Sequence, residues 1–178
     1  MHSLVSKVRK FIVKYSLISP GDKVLVAFSG GPDSTALSQI LLYLREIIGF
    51  EMALFHLNHG LRGEEARRDE NFCISWAKDK GVPIFVERQD VMSEKTAQRL
   101  SLEEAARVVR YQMMREVAQV WGASKIALGH TMDDQGETVL LNVFRGTGLQ
   151  GLQGMKFKND IFIRPLLAVR REEKLEFL

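Results

Sequence analysis

The sequence predicts an α/β protein with a doubly wound, mainly parallel, five-stranded sheet covered by helices on both faces. Short apolar runs alternate along the chain with longer segments of helical periodicity. These segments are long enough to cross over a sheet, as parallel strands require. No internal repeat or low-complexity linker interrupts the alternation.

Five runs of β-branched and apolar residues are the candidate strands. Runs of this length, bounded by turn residues, are typical of buried strands. They are Val24 to Phe28, Met52 to Leu57, Ile84 to Val86, Ile126 to Leu128 and Ile161 to Ile163.

The segments around these runs carry helical patterns. Met1 to Leu17 interleaves apolar and basic residues, which predicts an amphipathic helix and not a signal peptide. Ser101 and Glu104 form a capping box that begins a long helix. The other apolar stripes are Leu37, Ile40, Leu41, Leu44 and Ile48, then Phe72, Trp76 and Ala77, then Leu102, Ala105, Ala106, Val109, Met113, Val117 and Val120.

Length and composition fit one domain with a proper core, since the chain has 178 residues, 46% of them apolar. A net charge of +3 permits a nucleic acid partner without demanding one. The one cysteine excludes a disulfide framework and favours a reducing, cytoplasmic compartment. No apolar run approaches the roughly 18 residues of a membrane span, so no membrane association is expected.

Residues 169–178 form a charged, helix-favouring run with no stop signal. We therefore expect one domain over residues 1–168, with 169–178 beginning a helix that leads to C-terminal domains absent from this chain.

Polar side chains follow the candidate strands. In parallel sheets, ligands bind beyond the carboxyl ends of the strands, where the strand order reverses. Three of the four histidines, His56, His59 and His130, fall at such ends. The corresponding segments read SGGPDS, HLNHGLR, ERQD and GHTMDDQGET.

The stretch Ser29 to Thr35 has the chemistry of a phosphate cradle. Two glycines allow close approach to backbone N–H groups, and a proline suits the first position of the following helix. Hydroxyls and the helix N-terminus favour an anion. The loop lacks the lysine of the common nucleotide P-loop. An ordinary, well-capped strand–turn–helix remains the alternative.

This loop resembles the S-G-G-x-D-S signature of the N-type ATP pyrophosphatases, the PP-loop superfamily. The resemblance implies an adenine nucleotide alpha hydrolase-like, Rossmann-like fold. It also implies cleavage of ATP to AMP and pyrophosphate through an adenylated intermediate.

Three further stretches and RPLL at Arg164 to Leu167 resemble, in order, the motifs of the tRNA(Ile)-lysidine synthetase family. Together they cover nearly the whole chain. The stretches are HLNHGLR from His56, SLEEAARVVRY from Ser101 and GHTMDDQGETVLLNVFRGTGLQGLQGM from Gly129.

The resemblance implies an ATP-dependent ligase that joins L-lysine to C2 of the wobble cytidine in the CAU-anticodon isoleucine tRNA. The cytidine would first be adenylated, with Mg²⁺ assisting, so that AUA is then read as isoleucine. Two alternatives remain open: another adenylating PP-loop enzyme, or a nucleotide-binding core that is inactive without its C-terminal domains. The oligomeric state, a homodimer included, is also open.

The resemblance assigns roles residue by residue. The expected nucleotide-binding residues are Ser29, Gly30, Gly31, Pro32, Asp33, Ser34, Thr35, His56 and Asn58. The expected catalytic residues are Asp33, Arg110, His130, Asp134 and Arg145, with Asp33 and Asp134 as ligands of Mg²⁺.

Several of these side chains also have a purely structural interpretation. Asp133, Asp134 and Glu137 suit a helix N-terminus in any protein. Arg107 and Arg110 could be solvated ion-pair partners of nearby glutamates. A basic stretch could contact tRNA phosphates without reading sequence. Its members are Lys156, Lys158, Arg164, Arg170 and Arg171.

Overall fold

The computed structural model describes residues 2–60, 64–89, 101–146 and 153–178. Its helices are α1 (Ser3–Lys14), α2 (Pro32–Ile48), α3 (Glu64–Lys80), α4 (Leu102–Trp121), α5 (Met132–Phe144) and α6 (Arg171–Leu175). Its strands are β1 (Lys23–Ala27), β2 (Glu51–Asn58), β3 (Ile84–Arg88), β4 (Lys125–Ala127), β5 (Lys158–Asn159) and β6 (Phe162–Ile163). Within these ranges, no helix combines the length and the apolar content needed to cross a bilayer.

The strands form one sheet in the order β3-β2-β1-β4-β6-β5. All neighbours are parallel except β5 and β6, which are antiparallel. The strand order reverses between β1 and β4, because β1 is followed by β2 on one side and β4 lies on the other. The predicted doubly wound, mainly parallel architecture is therefore confirmed.

Over the described residues the sheet has six strands, whereas the sequence predicts five. The additional strand, β5, consists of two exposed residues, Lys158 and Asn159, at the edge of the sheet. A two-residue polar strand has no periodicity to detect, and only its pairing with β6 defines it.

Alternation along β1 divides the apolar core between the two faces of the sheet. Val24 and Val26 pack with α1, α2 and α3, whereas Leu25 packs with α4. Cys73 is buried on the first face and Met114 on the second, as expected for core residues. Helices thus cover both faces of the sheet.

The helix patterns are confirmed except at three exposed positions, of which Leu102, at the start of α4, is 38% exposed. The capping box of Ser101 and Glu104 begins α4 as predicted. Val120, however, is 86% exposed at the last turn of α4, and Phe72 is 47% exposed on α3. Apolar spacing alone did not reveal that these positions stay exposed.

Residues 169–178 pack against the domain. Val169 is fully buried, and Phe177 packs against the core and contacts the His2 ring at 5.0 Å. The predicted helix is only the short α6, which contacts α2. This segment is therefore part of the packed structure, close to the N-terminus of α2.

Candidate functional site

A cavity of about 560 Å³ lies at the carboxyl ends of β1, β2 and β4, where the strand order reverses. This is the expected ligand position in a doubly wound sheet, and the volume suits a small molecule. The loop after β1, the N-terminus of α2, the end of β2, one face of α4 and the end of β4 line it.

The loop after β1 depends on glycine for its shape. Gly30 has φ +83°, which an L side chain rarely adopts, and a Cβ there would lie 3.1 Å from the Phe72 ring. A Cβ on Gly129 would lie 3.3 Å from the backbone of Asp33 and of Ser34. The segment that follows β4 and the N-terminus of α2 are therefore in close contact through backbone atoms.

Two serines brace this loop from within. The Ser34 hydroxyl donates to the Gly31 carbonyl at 3.0 Å and accepts from the Ser29 amide at 3.2 Å. The two hydroxyls are 3.1 Å apart, with Ser34 buried and Ser29 exposed. Helix geometry leaves the amides of the first turn of α2 without intrahelical partners. These amides, with the Ser29 hydroxyl, can receive an anion.

Asp33 follows at the second position of α2 and lines the cavity. The ammonium of Lys174, on α6, contacts its Oδ1. Lys174 is 4% exposed and Asp33 is 46% exposed at its side chain. A buried basic group therefore lies beside a loop that has none in its own sequence.

The donor set is compatible with Mg²⁺ held jointly with a nucleotide. The described residues contain no group of three or more His, Cys, Asp or Glu that could hold a metal by itself. Mg²⁺ usually needs only one or two carboxylates together with phosphate oxygens and water. Asp33, a carboxylate at the cavity wall beside an anion-binding helix N-terminus, fits that role.

The end of β2 contributes His56 and Asn58, two predicted nucleotide-binding residues that form hydrogen bonds with other residues of the protein. His56 is buried, and its Nδ1 donates to the Phe28 carbonyl at 2.9 Å. Asn58 donates to Glu70 at 2.8 Å and accepts from the Gly60 amide at 2.9 Å. Both residues line the cavity while they fix the backbone around it.

Glu70 anchors this region from α3. It is buried, and it also accepts from the guanidinium of Arg88 on β3. The hydrogen bonds from Arg88 and then from Asn58 lower the pKa of the Glu70 carboxyl to about 2. The carboxylate stays charged, which keeps the amide of Asn58 in place.

His130 lines the cavity at the end of β4. Its Nδ1 accepts from Nε of Arg164 at 3.2 Å, so the proton of the neutral ring lies on Nε2. Burial and then the positive charge of Arg164 lower the pKa of His130 to about 4. At neutral pH, His130 is therefore an uncharged hydrogen-bond donor through Nε2.

The prediction that Arg164 belongs to the exposed basic stretch is wrong. It is 7% exposed and also donates to the Lys156 carbonyl at 2.8 Å. A buried guanidinium committed to these two partners does not belong to a surface for RNA phosphates. The four other predicted members, Lys156, Lys158, Arg170 and Arg171, are exposed.

The exposed face of α4 brings positive charge to the cavity wall. Arg110 and Arg107 both line the cavity, and the Arg107 guanidinium lies 5.4 Å from the centre of the Tyr111 ring. Across from them, His59 lines the same cavity. Its Nδ1 is buried without a hydrogen-bond partner among the described residues. Burial and then the charge of Arg110 lower the pKa of His59.

Asp134 and Arg145 are not among the described residues that line the cavity. Asp134 Oδ2 accepts from the amide and hydroxyl of Thr131, at 2.6 and 2.9 Å, as the capping box of α5. Arg145 is exposed after α5, and its charge contributes to lowering the pKa of Glu104. Their catalytic roles stay predictions. Residues 147–152 of the sequence motif that begins at Gly129 lie outside the described residues.

Sequence reasoning assigned no nucleotide-binding or catalytic role to four residues that the structure brings to this region, namely His59, Tyr111, Arg164 and Lys174. His59 and Tyr111 lie within stretches that already indicated the family, so their position was a usable signal. Arg164 and Lys174 act through side-chain contacts to residues 34 and 141 positions away. No local pattern in the sequence indicates such contacts.

The PP-loop domain family matches residues 1–178, the full length of the chain. Curated proteins named tRNA(Ile)-lysidine synthase are similar to it in sequence. The protein from Pseudothermotoga lettingae is 47% identical over 93% of this chain and 37% of its own length. The protein from Clostridium perfringens strain 13 is 44% identical over 96% of this chain and 37% of its own length. The chain thus spans little more than a third of these relatives.

Among solved structures, the U34-tRNA thiolase NcsA from Methanococcus maripaludis, with its [4Fe-4S] cluster, has a similar fold. The TM-score is 0.78 at 20% sequence identity, over 97% of this chain and 61% of that one. At this identity the similarity supports the fold alone.

Proposed function

This chain belongs to the PP-loop domain family, and we propose that it is the ATP-binding catalytic part of a tRNA-modifying ligase. The proposed reaction attaches L-lysine to C2 of the wobble cytidine in the CAU-anticodon isoleucine tRNA, at the expense of ATP. AMP and pyrophosphate are the other products, and the modified tRNA reads AUA as isoleucine. The similarity to proteins named tRNA(Ile)-lysidine synthase supports this choice.

The observation that carries the proposal is the composition of the cavity wall. The anion-binding amides, Asp33 and a neutral donor, His130, all line the cavity. Arg110 and Arg107 add positive charge on α4. This arrangement suits a nucleotide whose α-phosphate is attacked while pyrophosphate leaves.

The residues have distinct roles in this proposal. The loop from Ser29 to Thr35 binds the departing pyrophosphate, and Asp33 holds Mg²⁺, which would neutralise phosphate charge. His130 donates through Nε2 to the α-phosphate or to the activated O2 of cytosine. Because burial and Arg164 keep this ring uncharged, it donates without accepting a second proton.

Direct incorporation of lysine tests the proposal. The protein is incubated with ATP, Mg²⁺, labelled lysine and a transcript of the CAU-anticodon tRNA, and label in the RNA is counted. A transcript with uridine at the wobble position is the matched control. We expect label in the CAU transcript alone. Label in both transcripts, or in neither, would contradict the proposed substrate.

A second candidate is a nucleotide-binding core without turnover of its own. It is favoured by the short span of this chain, which covers 37% of each of the two relatives described above. ATP binding without lysine incorporation would support it. Conversion of ATP to AMP with no lysine in the RNA would instead indicate another adenylating PP-loop enzyme. The incorporation assay, read with an AMP assay, separates the three.

The proposed tRNA contact has its own test. Lys156, Lys158, Arg170 and Arg171 remain as an exposed basic stretch, and phosphate contacts release counterions when they form. Binding of the transcript should therefore weaken steeply as salt rises. A flat salt dependence would remove this stretch from the proposal.

A further inference from the structure

Lys174 is buried beside the loop after β1, although the loop itself carries no basic residue. Its ammonium contacts Oδ1 of Asp33 across 141 positions of sequence. Burying a lysine charge is costly unless it is paired, and Asp33 supplies the pair. A methionine or leucine at this position would avoid that cost, so the charge calls for an explanation.

The two side chains are not equivalent with respect to the cavity. Asp33 lines it, whereas Lys174 is not among the described residues that do. Lys174 therefore approaches Asp33 from behind, through the protein, and engages one carboxylate oxygen. Because its contact at the cavity wall is with Asp33, we expect any effect of Lys174 on a ligand to act through Asp33.

The helix that carries Lys174 is held in place by contacts on both sides. Glu173, the preceding residue, accepts from Lys7 of α1 at 2.7 Å. The amide of Arg171 donates to Asp133 of α5 at 2.8 Å. These contacts fix α6 between α1 and the beginning of α5, so the position of Lys174 is set independently of the loop.

We propose that Lys174 is a positioning residue of the nucleotide site. Its buried ammonium holds Oδ1 of Asp33, so that the carboxylate is fixed at the cavity wall where Mg²⁺ and the phosphates of ATP meet. This inference rests on the proposed function, because it assumes that Mg·ATP binds at the loop.

The K174M variant tests this proposal through nucleotide binding. Methionine keeps much of the length of the lysine side chain and can be buried without a partner because it is apolar. Asp33 is exposed enough for water to solvate its carboxylate once Lys174 is removed. Titration calorimetry compares ATP with and without Mg²⁺. We expect affinity for Mg·ATP to fall about tenfold, or about 1.4 kcal/mol. Affinity for ATP without Mg²⁺ should change by less than about twofold.

Lys7 of α1, which pairs with Glu173 on α6, provides a matched control. K7M removes the ion pair with Glu173, on the other side of α6, and leaves the contact with Asp33 intact. It should bind Mg·ATP as the wild type does. K174R keeps a positive charge and should recover part of the lost affinity. K174Q is a second neutral variant if melting shows that K174M is not folded at the assay temperature.

The D33N background shows whether Lys174 acts through Asp33. In the D33N protein, adding K174M should cause no further loss of Mg·ATP affinity, because the group being positioned is already changed. Equal losses in K174M and K7M, or equal losses with and without Mg²⁺, would overturn the proposal in favour of simple anchoring of α6.

The same titrations distinguish this inference from the proposed function. If the wild type binds Mg·ATP and K174M binds it equally well, only the role of Lys174 is wrong. If the wild type does not bind ATP at all, the proposed function fails, and the inference that depends on it fails too.

Discussion

The N-termini of α2 and α5 flank the cavity, and different kinds of contacts hold them in place. The N-terminus of α2 is braced by bonds within six residues, from Ser29 to Ser34, and the helix buries a full apolar stripe. No residue of α5 is buried, and its N-terminus combines a local capping box with distant partners. Its Met132 amide donates to the Val169 carbonyl at 2.9 Å, and Asp133 accepts from the Arg171 amide.

We call the N-terminus of α2 the α2 wall of the site and the N-terminus of α5 its α5 wall. The α2 wall is rigid, whereas the α5 wall depends on contacts with a distant segment of the chain. The backbone of the α2 wall is held by local hydrogen bonds, and its helix is anchored by the core. The α5 wall is complete only when residues 169–171 lie beside it. We therefore expect α5 to open more readily than α2, and the following changes test that expectation.

The largest effect is expected from Asp33→Ala at the α2 wall. Under the proposed function, lysine incorporation should fall at least about a hundredfold, because charge on the phosphates is no longer balanced. Stability should also fall, by about 1–3 kcal/mol, because the buried Lys174 loses its partner. Urea unfolding measures this, and adding K174M should restore stability but not activity. Unchanged stability would contradict the pairing of these residues.

Gly30→Ala should destabilise the α2 wall by about 2–4 kcal/mol. The left-handed backbone accounts for about half of this cost, and contact with Phe72 and Cys73 accounts for the rest. Gly21→Ala is the matched control, since Gly21 has φ +82° but no atom within 4 Å of a Cβ. It should cost about 1–2 kcal/mol. Equal losses of unfolding free energy would show that the loop is not tightly packed.

Thr131→Ala should cost about 1 kcal/mol, and the cost should be local to α5. Hydrogen exchange of the α5 amides should accelerate while the exchange of α2 stays unchanged. Ser101→Ala, which removes the cap of the well-buried α4, is the control and should lower the global stability instead. Faster exchange in α2 as well as α5 would contradict the independence of the two walls.

The smallest effect concerns His130, which lies directly before α5. Its pKa in the folded protein is about 4, below the ordinary value near 6.5, so protonation favours the unfolded chain. The contribution of the neutral ring to stability is complete above pH 6.5 and is lost as pH falls toward 4. Proton NMR of the ring should give this low pKa.

Arg164→Met should raise the pKa of His130, since the charge and the hydrogen bond of Arg164 favour the neutral ring. The pH dependence of stability between pH 6.5 and 4 should become shallower in this variant. An unchanged pKa would show that burial alone keeps the ring neutral. The same NMR titration decides the point.

The fold and the first wall of the site could be predicted from the sequence because their causes are local. Alternating apolar runs, the capping box at Ser101 and the glycines after β1 each reflect the physics of a few adjacent residues. The short strand β5 was missed, and Val120 was wrongly placed in the core, because both depend on where neighbouring elements end.

The sequence by itself determined the parallel sheet, the anion-binding turn at Ser29 and the place of the cavity at the carboxyl ends of the strands. Only the tertiary structure decided which charges meet there. It buried Arg164 against His130 and brought Lys174 behind Asp33. The physical reason is that backbone conformation follows from neighbours in sequence, whereas the partner of a buried charge is whichever side chain packing delivers to it.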